Sequence, residues 1–168
     1  AESNGLYVAE GEKYSAKSDA YIRSSAVKNA ALKPYSTYTK KINVLDGSTW
    51  SSVGQTVAWE INVKETGLYK LGMRYSLTGN AGKASYRSLK IDGALPFAEC
   101  PSLAVTGSGN GYGNFVFSAE NGTPYEFYLT KGTHLISMRV EMGALNNAYN
   151  EIKALMQEIN EIGTMLQK

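Results

Sequence analysis

Residues 57–75 constrain the fold more than any other part of the chain. Val57, Trp59, Ile61 and Val63 alternate with Ala58, Glu60 and Asn62. After a polar Lys64-Glu65-Thr66-Gly67 segment, Tyr69, Leu71, Met73 and Tyr75 alternate with Lys70, Gly72 and Arg74. A period of two places each apolar set on one face of a pleated strand and the polar set on the other. The short loop containing Gly67 predicts that the two runs are antiparallel neighbours in a hairpin. The pattern favours a binding sandwich over a catalytic α/β domain.

Further short runs read as strands at residues 7–10, 41–44, 85–91, 115–117, 125–129 and 134–141. Asp92-Gly93 and Thr130-Lys131-Gly132 supply turns, and Ile136, Met138 and Val140 share one face of the last run. Short strands at close spacing, separated by Gly, Asn, Asp and Ser, predict an all-β, antiparallel sandwich through residue 142. The chain then changes character. Tyr149, Ile152, Leu155, Met156, Ile159, Ile162 and Leu166 recur at steps of three and four, which predicts an amphipathic α-helix. The expected division is a sandwich over 1–143 and a C-terminal helix over 144–168 that leads to a further region. Gly163 weakens the last turns. The stripe is nearly heptad-spaced and suits pairing with another helix. Packing on its own sandwich or on a following domain is the expected use.

Composition removes several function classes. The 168 residues make one domain of ordinary size, and 43% hydrophobic with 19% charged residues is a globular balance. Net charge is +2, with no basic run longer than Lys40-Lys41, so there is no electrostatic footprint for nucleic acid. The single Cys100 excludes an internal disulfide and a thiolate metal cage. No stretch approaches the roughly 20 apolar residues of a membrane-spanning helix. The absence of an initiator Met and of a signal peptide suggests a chain that starts at an internal or processed point of something larger. Twelve Tyr against four Phe is unusual. A tyrosine offers a flat apolar face and a hydroxyl, which suits half-buried strands and surfaces that bind polar ligands such as sugars.

Catalytic machinery is sparse. His134 is the single histidine, and it falls in a strand beside a turn with no Gly-x-Ser-x-Gly elbow anywhere in the chain. The glycine-rich segment 107–113 lacks phosphate-loop spacing and opens onto Phe115-Val116-Phe117 rather than a helix. Glu10 and Glu12, two apart on an expected strand, would sit on one side roughly 7 Å from each other. That pair is open to three readings: solvated charges, a carboxylate pair for glycoside hydrolysis, or ligands of a hard cation such as Ca²⁺. Trp50 lies in a polar loop outside any alternating run, where an indole is either a cap on the sandwich end or a platform for a sugar ring. Trp59, in register with Val57 and Ile61, reads as core. Tyr112 sits in the glycine-rich segment and Tyr86-Arg87 opens a strand. An Arg beside an aromatic plane is a common grip on hydroxyls or a uronate.

Several segments in order carry a resemblance. These are Tyr-Val-Ala-Glu-Gly-Glu at 7–12, the 57–75 pair, Leu-Lys-Ile-Asp-Gly at 89–93 and Leu-Thr-Lys-Gly-Thr-His-Leu-Ile at 129–136. Over residues 7 to about 142 the chain resembles the galactose-binding-like jelly rolls of family 6 and family 35 carbohydrate-binding modules. Asp-Gly-Ser-Thr-Trp at 46–50, residues 86–97 and the terminal helix are similar to the variant carried by extracellular solute-binding proteins of Gram-positive ABC sugar transporters. The resemblance implies a two-sheet jelly roll that binds glycans, often with a structural calcium. It assigns the early acidic ligands to Glu10 and Glu12 and a last-strand acid to Glu141, where Asp is more usual.

The expected function is a non-catalytic carbohydrate-binding module, extracellular at a bacterial surface and part of a larger protein. Trp50 and Tyr112 stack on pyranose faces in this reading, while Arg87, Arg23 and Tyr86 supply hydrogen bonds. Its partner is an oligo- or polysaccharide. Two other readings are a structural spacer that docks through its helix, and a glycoside hydrolase fragment using Glu10 and Glu12.

Overall fold

The structure, a computed structural model, describes residues 5–78 and 84–166. Its strands are β1 (Ala16–Lys17), β2 (Ser24–Ser25), β3 (Val44–Leu45), β4 (Thr56–Val63), β5 (Gly67–Tyr69), β6 (Gly72–Ser76), β7 (Ala84–Ile91), β8 (Leu103–Thr106), β9 (Tyr112–Val116), β10 (Phe127–Leu129) and β11 (Gly132–Glu141). A 3-10 turn over Gly143–Leu145 leads into α1, Asn146–Leu166. The described chain is thus an antiparallel β-sandwich followed by one helix.

One layer is a five-stranded antiparallel sheet in the order β1-β4-β11-β7-β8. Its centre is β11, paired along eight residues with β4 and six with β7. The registers Val57↔Met138↔Leu89 and Trp59↔Ile136↔Ile91 put the apolar sets of three strands on one face. The facing layer is built from two ribbons, β10-β5 and β6-β9. Leu89, Leu103 and Met138 from the sheet meet Phe117 and Phe127 in the core, with Cys100 fully buried among them. A second cluster joins Val63 to Tyr69 and Leu129.

The alternation in 57–75 is present, but the hairpin is not. β4 pairs with β1 and β11, while β5 pairs with β10 and β6 with β9. The Lys64-Glu65-Thr66 link therefore carries the chain from one layer to the other. Alternation reports which face is buried, and that is the same whether the next strand lies beside or across the core. Residues 7–10 also depart from expectation. They form no strand; the Lys13 N–H donates to the Glu10 carbonyl at 2.9 Å and closes a turn. Tyr7 is used instead as a brace, its ring 5.7 Å edge-on to Tyr69 and its hydroxyl accepting from the Lys64 N–H. The run at 41–44 contributes only Val44 to a strand, and that at 125–129 begins pairing at Phe127. The two-residue strands β1 and β2 are too short to show a period, and β8 shows only four residues of one.

The helix is present but does not cover the sandwich. Every side chain described from Ala148 to Leu166 is exposed. Of the two expected uses of its apolar stripe, packing on its own sandwich is therefore corrected.

Candidate functional site

The Trp50 loop is organised from its backbone outward. Asp46 accepts from the N–H and hydroxyl of Ser48, and the buried Thr49 hydroxyl accepts from the Arg23 N–H at 3.0 Å. This turn delivers Trp50 to the edge of the core. Its Nε1–H donates to the Gln55 carbonyl at 3.2 Å, and its ring stands edge-on to Trp59 at 6.0 Å. The Arg87 guanidinium covers it, with Cζ 4.7 Å from the ring centroid. Arg87 in turn donates to the Ser85 hydroxyl and the Tyr86 carbonyl at 2.7 and 2.8 Å. Burial lowers the Arg87 pKa from its ordinary value. A sugar face reaching Trp50 from that side has to displace a guanidinium held by two good hydrogen bonds.

The side chains of the other expected residues make contacts of their own. Tyr86 follows the opposite face of β7, its ring against Gly143. Arg23 lies over the Tyr21 ring at 5.4 Å. Tyr112 opens β9 opposite Ser76, where burial raises its pKa and the charge of Arg74 partly opposes that. Among the described residues, the side chains of Tyr112 and Arg23 share no hydrogen bond or ring contact with the Trp50–Arg87 pair. Arg87 and, through its backbone bond to Thr49, Arg23 adjoin the Trp50 loop, whereas Tyr86 lies on the other face of β7.

A groove of about 720 Å³ lies instead between the 10–13 turn and a long loop. Its walls are Glu10, Glu12 and Lys13 on one side and Lys33, Pro34, Tyr35 and Ile42 on the other. That loop covers residues 26–43, between β2 and β3, without regular structure. So long a loop without elements of its own is uncommon in a compact domain unless it serves a function. It is held in one shape by the buried Asn43. The Asn43 amide donates to the Val27 and Pro34 carbonyls at 2.9 and 3.2 Å, and its oxygen accepts from the Val27 N–H at 2.9 Å. Leu32, 7% exposed, anchors the same loop. Oε1 of Glu12 is shut off from solvent with no hydrogen-bond partner among the described residues. Lys33 and Tyr35 escaped the sequence reading because their segment has no period, and Ile42 was read only as part of a strand at 41–44; the loop's length was the available signal.

The carboxylates do not assemble into the expected metal centre. Ca²⁺ takes six to eight oxygens. Glu141 sits at the end of β11, where its Oε1 accepts from the Ser88 hydroxyl at 2.9 Å and from Arg139 at 3.0 Å. Among the described residues no group of three His, Cys, Asp or Glu side chains is placed to hold a metal. Glu10 and Glu12 share their groove with two lysines, whose ammonium groups compete with a cation for the carboxylates. Nor does a carboxylate line the wall that faces them, which an acid/base pair for glycoside hydrolysis requires.

His134 is occupied structurally. It is 9% exposed, with Nδ1 2.6 Å from Asp92 Oδ2 and Nε2 2.8 Å from the Thr130 carbonyl. Both neighbours are acceptors, so both ring nitrogens donate and the imidazolium is the form that fits. The Asp92 hydrogen bond, then the Thr130 carbonyl, raise the His134 pKa above 6.5 against an opposing desolvation. Partial desolvation pushes Asp92 up, but hydrogen bonds from His134 and the Leu135 N–H leave it below its ordinary value. A folded pKa above the unfolded one means the histidine's contribution is complete below about pH 6.5 and is lost as pH rises through the folded value. Thermal unfolding followed from pH 6 to 9 should show a falling midpoint, and His134→Gln should flatten that slope. An unchanged slope removes the charged pair as its cause.

Comparison with solved structures finds the same fold. A Paenibacillus sp. cycloisomaltooligosaccharide glucanotransferase, solved with cycloisomaltoheptaose, matches with a TM-score of 0.53 at 24% identity over 79% of this chain. The match spans 16% of that enzyme's chain. A family 35 carbohydrate-binding module from Clostridium thermocellum gives 0.49 at 16% identity, covering 73% of this chain and 78% of the module. A family 35 module from Cellvibrio japonicus gives 0.46 at 16% identity, covering 71% and 72%. No protein-family profile matches the sequence, and no curated protein does. At 24% identity the likeness to the glucanotransferase is one of fold.

Proposed function

We propose that the chain is a non-catalytic carbohydrate-binding module whose glycan lies in the groove between the 10–13 turn and the 26–43 loop. The observation that carries this reading is the groove itself: one aromatic ring, two carboxylates and two ammonium groups on walls fixed by Asn43. Pyranose rings present apolar C–H faces and a rim of hydroxyls. Tyr35, 44% exposed, offers a plane for the first, and Glu10, Glu12, Lys13 and Lys33 are acceptors and donors for the second. The site is open and replaces well-hydrated hydroxyls by few contacts, so its affinity is on the order of 10 µM to 1 mM. Placement outside a bacterial cell, within a larger sugar-uptake protein, is the setting that the sequence resemblance supports.

A glycan array including cycloisomaltoheptaose, the sugar in the glucanotransferase structure, identifies the ligand class. Isothermal titration with the best hit then tests the groove. Tyr35→Ala and Glu12→Gln should each weaken binding about tenfold, a loss of roughly 1.4 kcal/mol. Trp50→Ala should lower stability and leave affinity unchanged. Binding lost in Trp50→Ala but kept in Tyr35→Ala would move the site to the Trp50–Arg87 end. Repeating the titration in chelator should give the same affinity, because two lysines compete for the groove's carboxylates; a loss would show that a cation is bound there.

A further inference from the structure

The exposed stripe of α1 has an order finer than amphipathicity. Ile152, Ile159 and Leu166 fall at one heptad position, and Ala148, Leu155 and Ile162 at the next core position, three or four residues apart throughout. Those are the a and d rows of a coiled-coil seam. Each is uncovered: Ile152 and Leu155 are 58% exposed and Ile159 65%. Nothing else in the helix explains its stability. It starts among Asn146, Asn147 and Asn150, contains Gly163, and has no acidic residue in its first turn or basic residue in its last. Such a segment gains helical stability from packing, not from propensity or dipole compensation.

We propose that α1 pairs with α1 of a second copy of this chain in a parallel two-stranded coiled coil. Charge selects the orientation. The g positions are Glu151, Glu158 and Met165, whereas the e positions are Tyr149, Met156 and Gly163. In a parallel pair each g residue meets an e residue of the other helix, so the glutamates lie against Met156 and Gly163, where their methylene stems pack. An antiparallel pair sets the two glutamate rows against each other. The buried area is also sufficient. Eight side chains from the a, d and e rows, losing roughly 50–100 Å² each, give about 800–1,600 Å² for the pair, which reaches the range of stable interfaces. A membrane surface fits worse. The helix carries three Glu against one Lys, the wrong sign for anionic lipid, and is not apolar enough to span a bilayer. In a parallel pair both sandwiches leave from the same end of the seam, which links two copies of any glycan site and adds avidity from linkage alone.

The test uses the full chain in sedimentation velocity from 1 to 200 µM. The expected result is a concentration-dependent dimer that Ile159→Glu converts to monomer, while Gln157→Glu, at the outer f position, leaves it dimeric. Orientation is read with Ile159→Cys, since a–a′ pairing in parallel register lets the two thiols cross-link on mild oxidation. The buried Cys100 in the unmodified chain is the control. A monomer at 200 µM with folded sandwich overturns the proposal and gives the stripe to another partner. So does association that survives Ile159→Glu, or a dimer whose Ile159→Cys form fails to cross-link. None of these outcomes depends on the glycan groove.

Discussion

Gly143→Val will destabilise the sandwich by about 3–5 kcal/mol, measured by urea unfolding. Two separate costs meet at this residue. Its φ of +60° lies in the left-handed region, which disfavours L side chains and excludes β-branched ones most strongly. A β-carbon there would also overlap the ring of Tyr86, which lies directly against the glycine. The overlapped atoms include the base of the ring, so a small swing of the hydroxyl end does not relieve it. Backbone strain of roughly 1–3 kcal/mol and overpacking of roughly 1–3 kcal/mol then add. The two are separable. Gly143→Asn keeps the clash and removes much of the backbone penalty, since Asn tolerates positive φ. Tyr86→Ala combined with Gly143→Val should recover the clash alone, as a coupling energy in a double-mutant cycle. If Gly143→Val costs less than about 1 kcal/mol, Tyr86 does not seal the junction between β11 and α1.

How much of this was legible in the sequence depends on what each residue's pattern encodes. β4 and β11 were readable because eight to ten residues of alternation record a buried face, and β7 because the Asp92-Gly93 turn closes it. The partner of β4 was not readable: Val57 and Trp59 look the same beside Tyr69 as beside Met138 and Ile136, and only the long β11 register decides. Asp92-Gly93 was legible as a turn, and both residues adopt positive φ there. Its second role, holding His134, was hidden because the two are far apart in sequence. Trp50 presented as a loop indole with two open uses, and Gln55, Trp59 and Arg87 occupy its edge and one face. The groove was least legible. Tyr35 and Lys33 sit in a loop whose shape comes from one buried amide, Asn43, and no periodic signal marks such a residue.

Phe127→Ala should cost about 3–5 kcal/mol, a large share of the roughly 5–15 kcal/mol that holds a domain folded. Phe127 is 2% exposed and belongs to β10, a three-residue strand whose partner β5 is equally short. Three backbone registers cannot hold such a ribbon as a layer, so its place depends on the side chains beneath it. Phe127 meets Phe97 edge-on at 5.3 Å and Tyr125 at 6.4 Å, while Phe97 and Tyr125 stack at 4.8 Å. Removing the middle ring leaves a cavity and strips edge contacts from both neighbours, each worth about 0.5–1.5 kcal/mol beyond burial. Phe127→Leu refills most of that volume and should cost less than half as much. Because the groove is built from residues 10–13 and 33–42, glycan affinity of the fraction that stays folded should not change. A loss of affinity without a loss of stability would mean that the ribbon layer, not the 26–43 loop, shapes the binding surface.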